Sequence, residues 1–203
     1  MNRETSMGNT DSLWIKLLRS TGMVLDDDNI ALLQNNFMLK LIKKDHFFLQ
    51  EGEKSREIGF VMKGLFRSYY IDKRGNDITK YFYAEGGTLF SYVAYLSQTE
   101  STYCIQALED SELLVMKIED FERIVDGNYE LLLFYKKMID NVLVAKEEHA
   151  NSFKLLNSSD RYKQFLTKYP DLEKRLKQCQ LASYLGITPV SLSRIRKKSN
   201  LIK

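Results

Sequence analysis

Arg194, Lys197 and Lys198 are among the four cations of the stretch CQLASYLGITPVSLSRIRKK, Cys179–Lys198, and their placement is that of a surface for a polyanion. At about 100° per residue, Val190, Ser193, Arg194 and Lys197 share one face of a helix, while Leu192 and Ile195 point the other way. A guanidinium fork on such a face can hold guanine O6 and N7, and hydroxyl and ammonium groups can hold phosphates. The candidate DNA-contacting residues are Thr188, Pro189, Val190, Ser191, Ser193, Arg194, Lys197 and Lys198, and double-stranded DNA is the partner they predict.

A reading helix needs a second helix to hold its angle, and the residues before it supply one. Leu181, Ala182 and Leu185 place apolar groups on one face, Gly186 can take positive φ where that helix stops, and Ile187 fills the angle between the two. Thr188 then reads as an N-cap, with Pro189 at the first helical position, where its missing N–H is no loss. This is the pattern of a helix-turn-helix. From Lys154 onward there are twelve Lys and Arg against Asp160, Asp171 and Glu173, a local +9 that leaves −6 on the rest of a chain of net +3. A basic end on an acidic body is the footprint of a nucleic-acid binder.

The remaining composition excludes other classes. Two histidines, His46 and His149, and two cysteines, Cys104 and Cys179, lie far apart with no metal-ligand spacing, so zinc, haem and iron–sulfur sites are not expected. No nucleophile elbow, phosphate loop or paired catalytic motif appears, which argues against an enzyme, a cupin-like metal barrel included. No apolar run reaches membrane length and no signal core opens the chain, so the expected location is the cytoplasm, without a membrane partner.

Taken in order, Leu13, Trp14, Leu17 and Leu18 read as a short helix, and Asp26-Asp27-Asp28 as the start of another carrying Ile30, Leu33, Phe37 and Leu41 inward. From Asp45 short segments rich in β-formers, punctuated by glycine, predict a jelly-roll β-barrel. The expected strands lie near His46–Leu49, Ile58–Lys63, Leu65–Asp72, Asp77–Tyr83, Ser101–Ala107 and Ser111–Lys117, with Asp72–Asn76 as a hairpin turn. A helix follows over Glu119–Asp126, then a long one over Asn128–Leu156. Leu131, Tyr135, Met138, Val142, Ala145, His149, Ser152 and Leu156 recur at spacings of four and three, the seam of a dimer helix. Leu132, Ile139 and Leu143 remain to meet the barrel. The fold class is thus α+β, with a sensor domain over 12–127, a dimerisation helix over 128–156 and a winged-helix-like helix-turn-helix domain over 157–203, although the tail leaves little room for a wing.

This order of parts resembles the Crp/Fnr family of bacterial transcription factors over nearly the whole chain. The resemblance is carried by FFLQEGEKSREIGFVMKGLFRSYYIDKRGNDITKYFYAEGG, IQALEDSELLVMKIEDFERIV and LASYLGITPVSLSRIRKK. It implies a homodimer whose cyclic-nucleotide-binding-like barrel repositions two recognition helices, with RNA polymerase as a possible partner. The family's base-reading positions fall on Pro189, Val190 and Arg194. Val190 departs from a common acidic reader and can touch a thymine methyl instead.

Members that bind cyclic AMP carry a glycine and an acid for the ribose, and an arginine and a serine for the phosphate. The matching cassette here offers Gly86, Gly87 and Thr88 at one end and Glu100-Ser101 at the other. A carboxylate where a guanidinium should clamp phosphate opposes binding, so cyclic AMP is not the expected ligand and no cofactor is assigned. Phe90, Tyr92, Tyr95 and Tyr103 complete a candidate pocket for a small effector of unknown identity. The competing reading is a dimeric small-ligand-binding or protein-interaction module whose helix-turn-helix does not read DNA specifically.

Overall fold

The computed structural model describes residues 25–200, with side chains as far as Lys198; the expected helix around Leu13–Leu18 lies outside them. The first described helix, α1 (Asp27–Asn36), starts where Asp26 accepts a hydrogen bond from the Asn29 N–H at 2.8 Å. It buries Leu33 and ends earlier than expected. Phe37 already has extended backbone, and the Asn36 amide donates to the Leu32 carbonyl at 2.7 Å, so the asparagine pair closes the helix. Leu41, expected on the inner face of this helix, sits instead on strand β1 (Met38–Ile42), exposed.

The other strands are β2 (Phe47–Leu49), β3 (Glu57–Lys63), β4 (Phe66–Ile71), β5 (Asp77–Tyr83), β6 (Thr88–Leu89), β7 (Cys104–Ala107) and β8 (Ser111–Lys117). They form two four-stranded sheets, of order β1-β8-β3-β6 and β2-β7-β4-β5, the jelly-roll arrangement expected. Strands β1 and β3 both run antiparallel to β8, with Met38 opposite Val115 and Gly59 opposite Val115 on its two sides. Of these strands β1 and β6 were not anticipated, the one hidden in a helical pattern and the other only two residues long.

Alternation explains why β3 and β8 are apolar almost throughout. Ile58, Phe60, Met62, Leu114 and Met116 face one core, and Val61, Leu113 and Val115 face another, inside the barrel, with Phe66, Leu89, Tyr103 and Ile105. The first core is covered by Leu33 and Phe37, by Phe121 and Val125 of α3 (Ile118–Asp126), and by Leu131, Phe134 and Met138 of α4 (Tyr129–Leu155). The short helix α2 (Tyr92–Leu96) lies in the connection between β6 and β7.

The long helix corrects one expectation. Its proposed dimer seam is the side that packs on the chain itself. Leu131 and Met138 are buried in the first core, the Tyr135 ring meets Phe121 edge-on at 5.3 Å, and Ser152 is buried. Leu132 and Leu143, assigned to the barrel, are 43% and 64% exposed, while Ile139 still touches the core. Two apolar stripes lie on one helix, and spacing alone does not say which of them its own domain takes.

Residue contacts divide the chain into two compact units, one comprising the residues up to Phe66 with Tyr83–Leu143, the other Arg67–Phe82 with Val144–Lys203. The second contains α5 (Ser158–Lys168), a 3-10 turn at Leu172–Arg175, α6 (Gln178–Tyr184) and α7 (Pro189–Asn200); no strand follows α7 among the described residues. The β4–β5 hairpin belongs to it. The Thr79 N–H donates to Ser183 Oγ at 2.9 Å, Ser183 donates to the Asp77 carbonyl at 3.3 Å, and Phe82 packs on Tyr184 and Phe165. Arg67 braces the hairpin from inside with two bonds to Asp77, at 3.0 and 2.7 Å.

Candidate nucleic-acid interface

Leu181, Ala182 and Leu185 are buried as the apolar spacing requires, and α6 stops in a Schellman motif. The Ile187 N–H donates to the Ala182 carbonyl and the Gly186 N–H to the Ser183 carbonyl, both at 3.0 Å, with Gly186 at φ 66°. Thr188 then caps α7, its Oγ1 accepting the Ser191 N–H at 3.1 Å and contacting Ser191 Oγ at 2.9 Å. The Gln178 amide donates to the Pro189 carbonyl at 2.7 Å and ties the two helix starts together.

On α7, Leu192 is fully buried and Ile195 half-buried, whereas Val190 is 63% exposed and Arg194, Lys197 and Lys198 are exposed. Arg194, Lys197 and Lys198 have no partner among the described residues. Ser191 and Ser193 lie half-exposed beside them, and Thr188 and Pro189 are exposed at the helix start. The sequence-predicted DNA-facing residues therefore share one open, basic surface.

Arg196, in the same basic run, does otherwise. Its Nε donates to Glu173 Oε1 at 2.8 Å, and the Tyr162 hydroxyl donates to the same oxygen at 2.6 Å, so this arginine anchors α7 to α5 and the 3-10 turn. Helical phase, one residue on from Ile195, was the available signal for its inward position.

His149 reaches the base of the same unit from α4. Its ring stacks on Tyr184 at 4.5 Å and meets Tyr81 and Phe153 at 5.2 and 5.1 Å. Burial, with Lys168 and Arg161 nearby, holds its pKa below the ordinary 6.5. The unfolded chain therefore takes the proton first, and stability of this unit is expected to fall as pH drops through 6.5, levelling off below the native pKa. Urea denaturation across that range checks this, and His149→Phe should flatten the slope. An equal slope in both proteins would assign it to other groups.

The effector cassette is organised around its two ends, and the Tyr103 hydroxyl donates to the Phe90 carbonyl at 3.4 Å. Gly86 and Gly87 close a turn on β3, the Gly86 N–H donating to the Val61 carbonyl and the Val61 N–H to that of Gly87, both at 2.9 Å, and Thr88 opens β6. At the other end, Ser101 is buried and donates to the Tyr103 carbonyl at 2.8 Å, with its Oγ 3.3 Å from Ser91 Oγ, while Glu100 is exposed. Phe90 meets Tyr92 and Tyr95 at 5.6 and 5.5 Å. Tyr95 donates to Glu122 at 2.6 Å, a bond that pushes its pKa up to about 12. Tyr103 lies in the barrel core. A cleft of about 590 Å³, not anticipated, opens instead beside Phe48, Lys54, Arg56 and Lys117. Among the described residues no group of three or more His, Cys, Asp or Glu side chains is placed to hold a metal, and no helix is long and apolar enough to cross a membrane.

The elements follow in the order jelly roll, long helix and helix-turn-helix. Residues 39–128 match the family model of the cyclic nucleotide-binding domain. FixK2 from Bradyrhizobium japonicum is similar at TM-score 0.72 and 18% identity, covering 81% of this chain and 85% of its own. A CooA mutant from Carboxydothermus hydrogenoformans aligns at TM-score 0.69 and 17% identity, over 92% of this chain and 84% of that one. A protein assigned to the crp/fnr family of transcriptional regulators, from Eubacterium rectale, aligns at 0.65 and 16%, over 87% and 84%. No curated protein matches significantly in sequence. Residues 39–128 are thus similar to a cyclic nucleotide-binding domain, and the chain has the fold seen in FixK2, CooA and the crp/fnr-family protein.

Proposed function

We propose that this protein is a homodimeric, DNA-binding transcriptional regulator that does not respond to cyclic AMP. The observation that carries the reading is the exposed face of α7, where Val190, Arg194 and Lys197 have no partner among the described residues while the neighbouring Arg196 is consumed internally. Leu132, Ile139 and Leu143 form the pairing stripe, with Lys136, bonded to Asp140 at 2.5 Å, as the polar residue that sets register. Two recognition helices on a two-fold axis then meet half-sites about one helical turn apart. The buried bonds of Ser101 and the carboxylate of Glu100 leave nothing at that end of the cassette to clamp a phosphate.

Quantitative gel shifts on selected palindromes and on random duplex test this. Arg194→Ala is expected to weaken the preferred site by about 1–3 kcal/mol per half-site and random DNA less, so the two affinities converge. Lys197→Ala should weaken all sequences alike and lower the salt slope by about one unit for each phosphate it no longer neutralises. Added cyclic AMP should leave both affinities unchanged. Absence of any duplex binding by the unaltered protein would favour the protein-interaction reading, and a cyclic-AMP-dependent shift would overturn that part of the proposal.

A further inference from the structure

Arg161 stands in the first half of α5, yet its guanidinium is spread over groups from two other elements. Its Nη1 donates to the carbonyl of Leu156, just past the end of α4, at 2.8 Å, and its Nε donates to the carbonyl of Leu185, at the end of α6, at 3.1 Å. Both carbonyls belong to helix ends, which leave such groups without intrahelical partners. The guanidinium also lies over the ring of Phe153 in the last turns of α4, 4.8 Å from its centroid. That same ring comes within 2.6 Å of where a Cβ on Gly186 would sit. One side chain therefore joins the end of the long helix to the turn between α6 and α7.

The long helix is also linked to this unit by the ion pair of Glu148 with Lys168 of α5, at 2.8 Å, and by the stack of His149 on Tyr184 of α6, with rings 20° apart. Stacked rings resist separation but allow sliding and rotation in their common plane. Hydrogen bonds from a rigid planar fork are directional, and two of them to carbonyls on different helices fix the remaining rotation. An ammonium group has neither the fork nor the plane.

We infer that Arg161 is a positioning residue for DNA reading: it sets the angle of α7 to α4 and so, across a pair of chains, which half-site spacing the pair accepts. The spacing element rests on the DNA-binding reading above; the clamp itself does not. Nothing in this role requires Arg161 to touch DNA.

The test uses the full-length protein and palindromes whose centres are lengthened or shortened by single base pairs. The unaltered protein should select one spacing. Arg161→Gln should bind that spacing about tenfold more weakly, with the spacing variants within about twofold of one another, while the affinity for random duplex and the salt slope stay as they were. Arg161→Lys, keeping at most one carbonyl bond, should fall between. An unchanged spacing preference in Arg161→Gln overturns the inference, and so does an equal loss on random duplex, which would make Arg161 a phosphate ligand. A second measurement needs no DNA. Spin labels at Lys154→Cys and Val190→Cys in a Cys179→Ser background, diluted with unlabelled chain, should give a narrow distance distribution that broadens in Arg161→Gln. Equal widths overturn the clamp. Broadening in a protein that binds no duplex would support the clamp while removing the DNA reading.

Discussion

Gly186→Val is expected to destabilise the C-terminal unit by about 3 kcal/mol and to remove the proposed DNA binding with it. At φ 66° a β-branched residue is strained whatever space surrounds it, and here there is little. A Cβ would stand 2.6 Å from Phe153 Cε1, and Phe153 lies beneath the Arg161 guanidinium, so moving the ring disturbs the contacts that hold the turn. The same residue donates its N–H to the Ser183 carbonyl, part of the motif that ends α6. Gly127 supplies the contrast. Its φ is −82° and a Cβ there would meet nothing nearer than 3.8 Å, so Gly127→Ala should stabilise by about 0.5 kcal/mol through the unfolded chain. Urea denaturation of both variants, followed by near-ultraviolet dichroism, decides the matter; similar stabilities would show that the turn tolerates a side chain.

The helix-turn-helix was legible because its signals are local. A glycine that must take positive φ, a threonine cap and a proline at the first helical position act within a few residues, and the structure shows each in its place. The barrel was legible for a related reason: β3 and β8 are buried on both faces, so their apolar runs stand out from the glycine turns around them. What spacing left undetermined was orientation and partnership. The period that linked Ile30, Leu33, Phe37 and Leu41 runs on across the Asn35-Asn36 break, and only the backbone turning extended at Phe37 separates helix from strand. Arg161 and Arg196 look alike in sequence to Arg194. Their partners, two backbone carbonyls and a Glu173 over twenty residues away, carry no sequence mark.

The cassette shows the same limit from the other side. Residue types alone made Ser101 and Tyr103 plausible ligand contacts. In the fold Ser101 bonds to Ser91 and to the Tyr103 carbonyl, and Tyr103 fills the barrel. A serine that satisfies buried backbone and one that meets a ligand are the same letter.

The exposed stripe on α4 leads to the other large effect. Leu143 is 64% exposed within a single chain, so Leu143→Glu removes little from that chain's own core and should leave its fold intact. If two such helices pair along Leu132, Ile139 and Leu143, the substitution removes apolar burial and sets two carboxylates near the two-fold axis. Dimer affinity should then fall by about 100-fold or more, roughly 2.8 kcal/mol, and binding to a palindrome should fall with it. Met138→Ala makes the complementary case. Met138 lies in the core beside Phe121 and Phe134, so its truncation should lower the stability of the chain by about 2–5 kcal/mol, whatever the oligomeric state. Sedimentation equilibrium and urea denaturation on both variants separate the two faces. A Leu143→Glu protein that remains a dimer at the same concentration would return the pairing surface to another part of the molecule, and with it the geometry by which two recognition helices reach neighbouring half-sites.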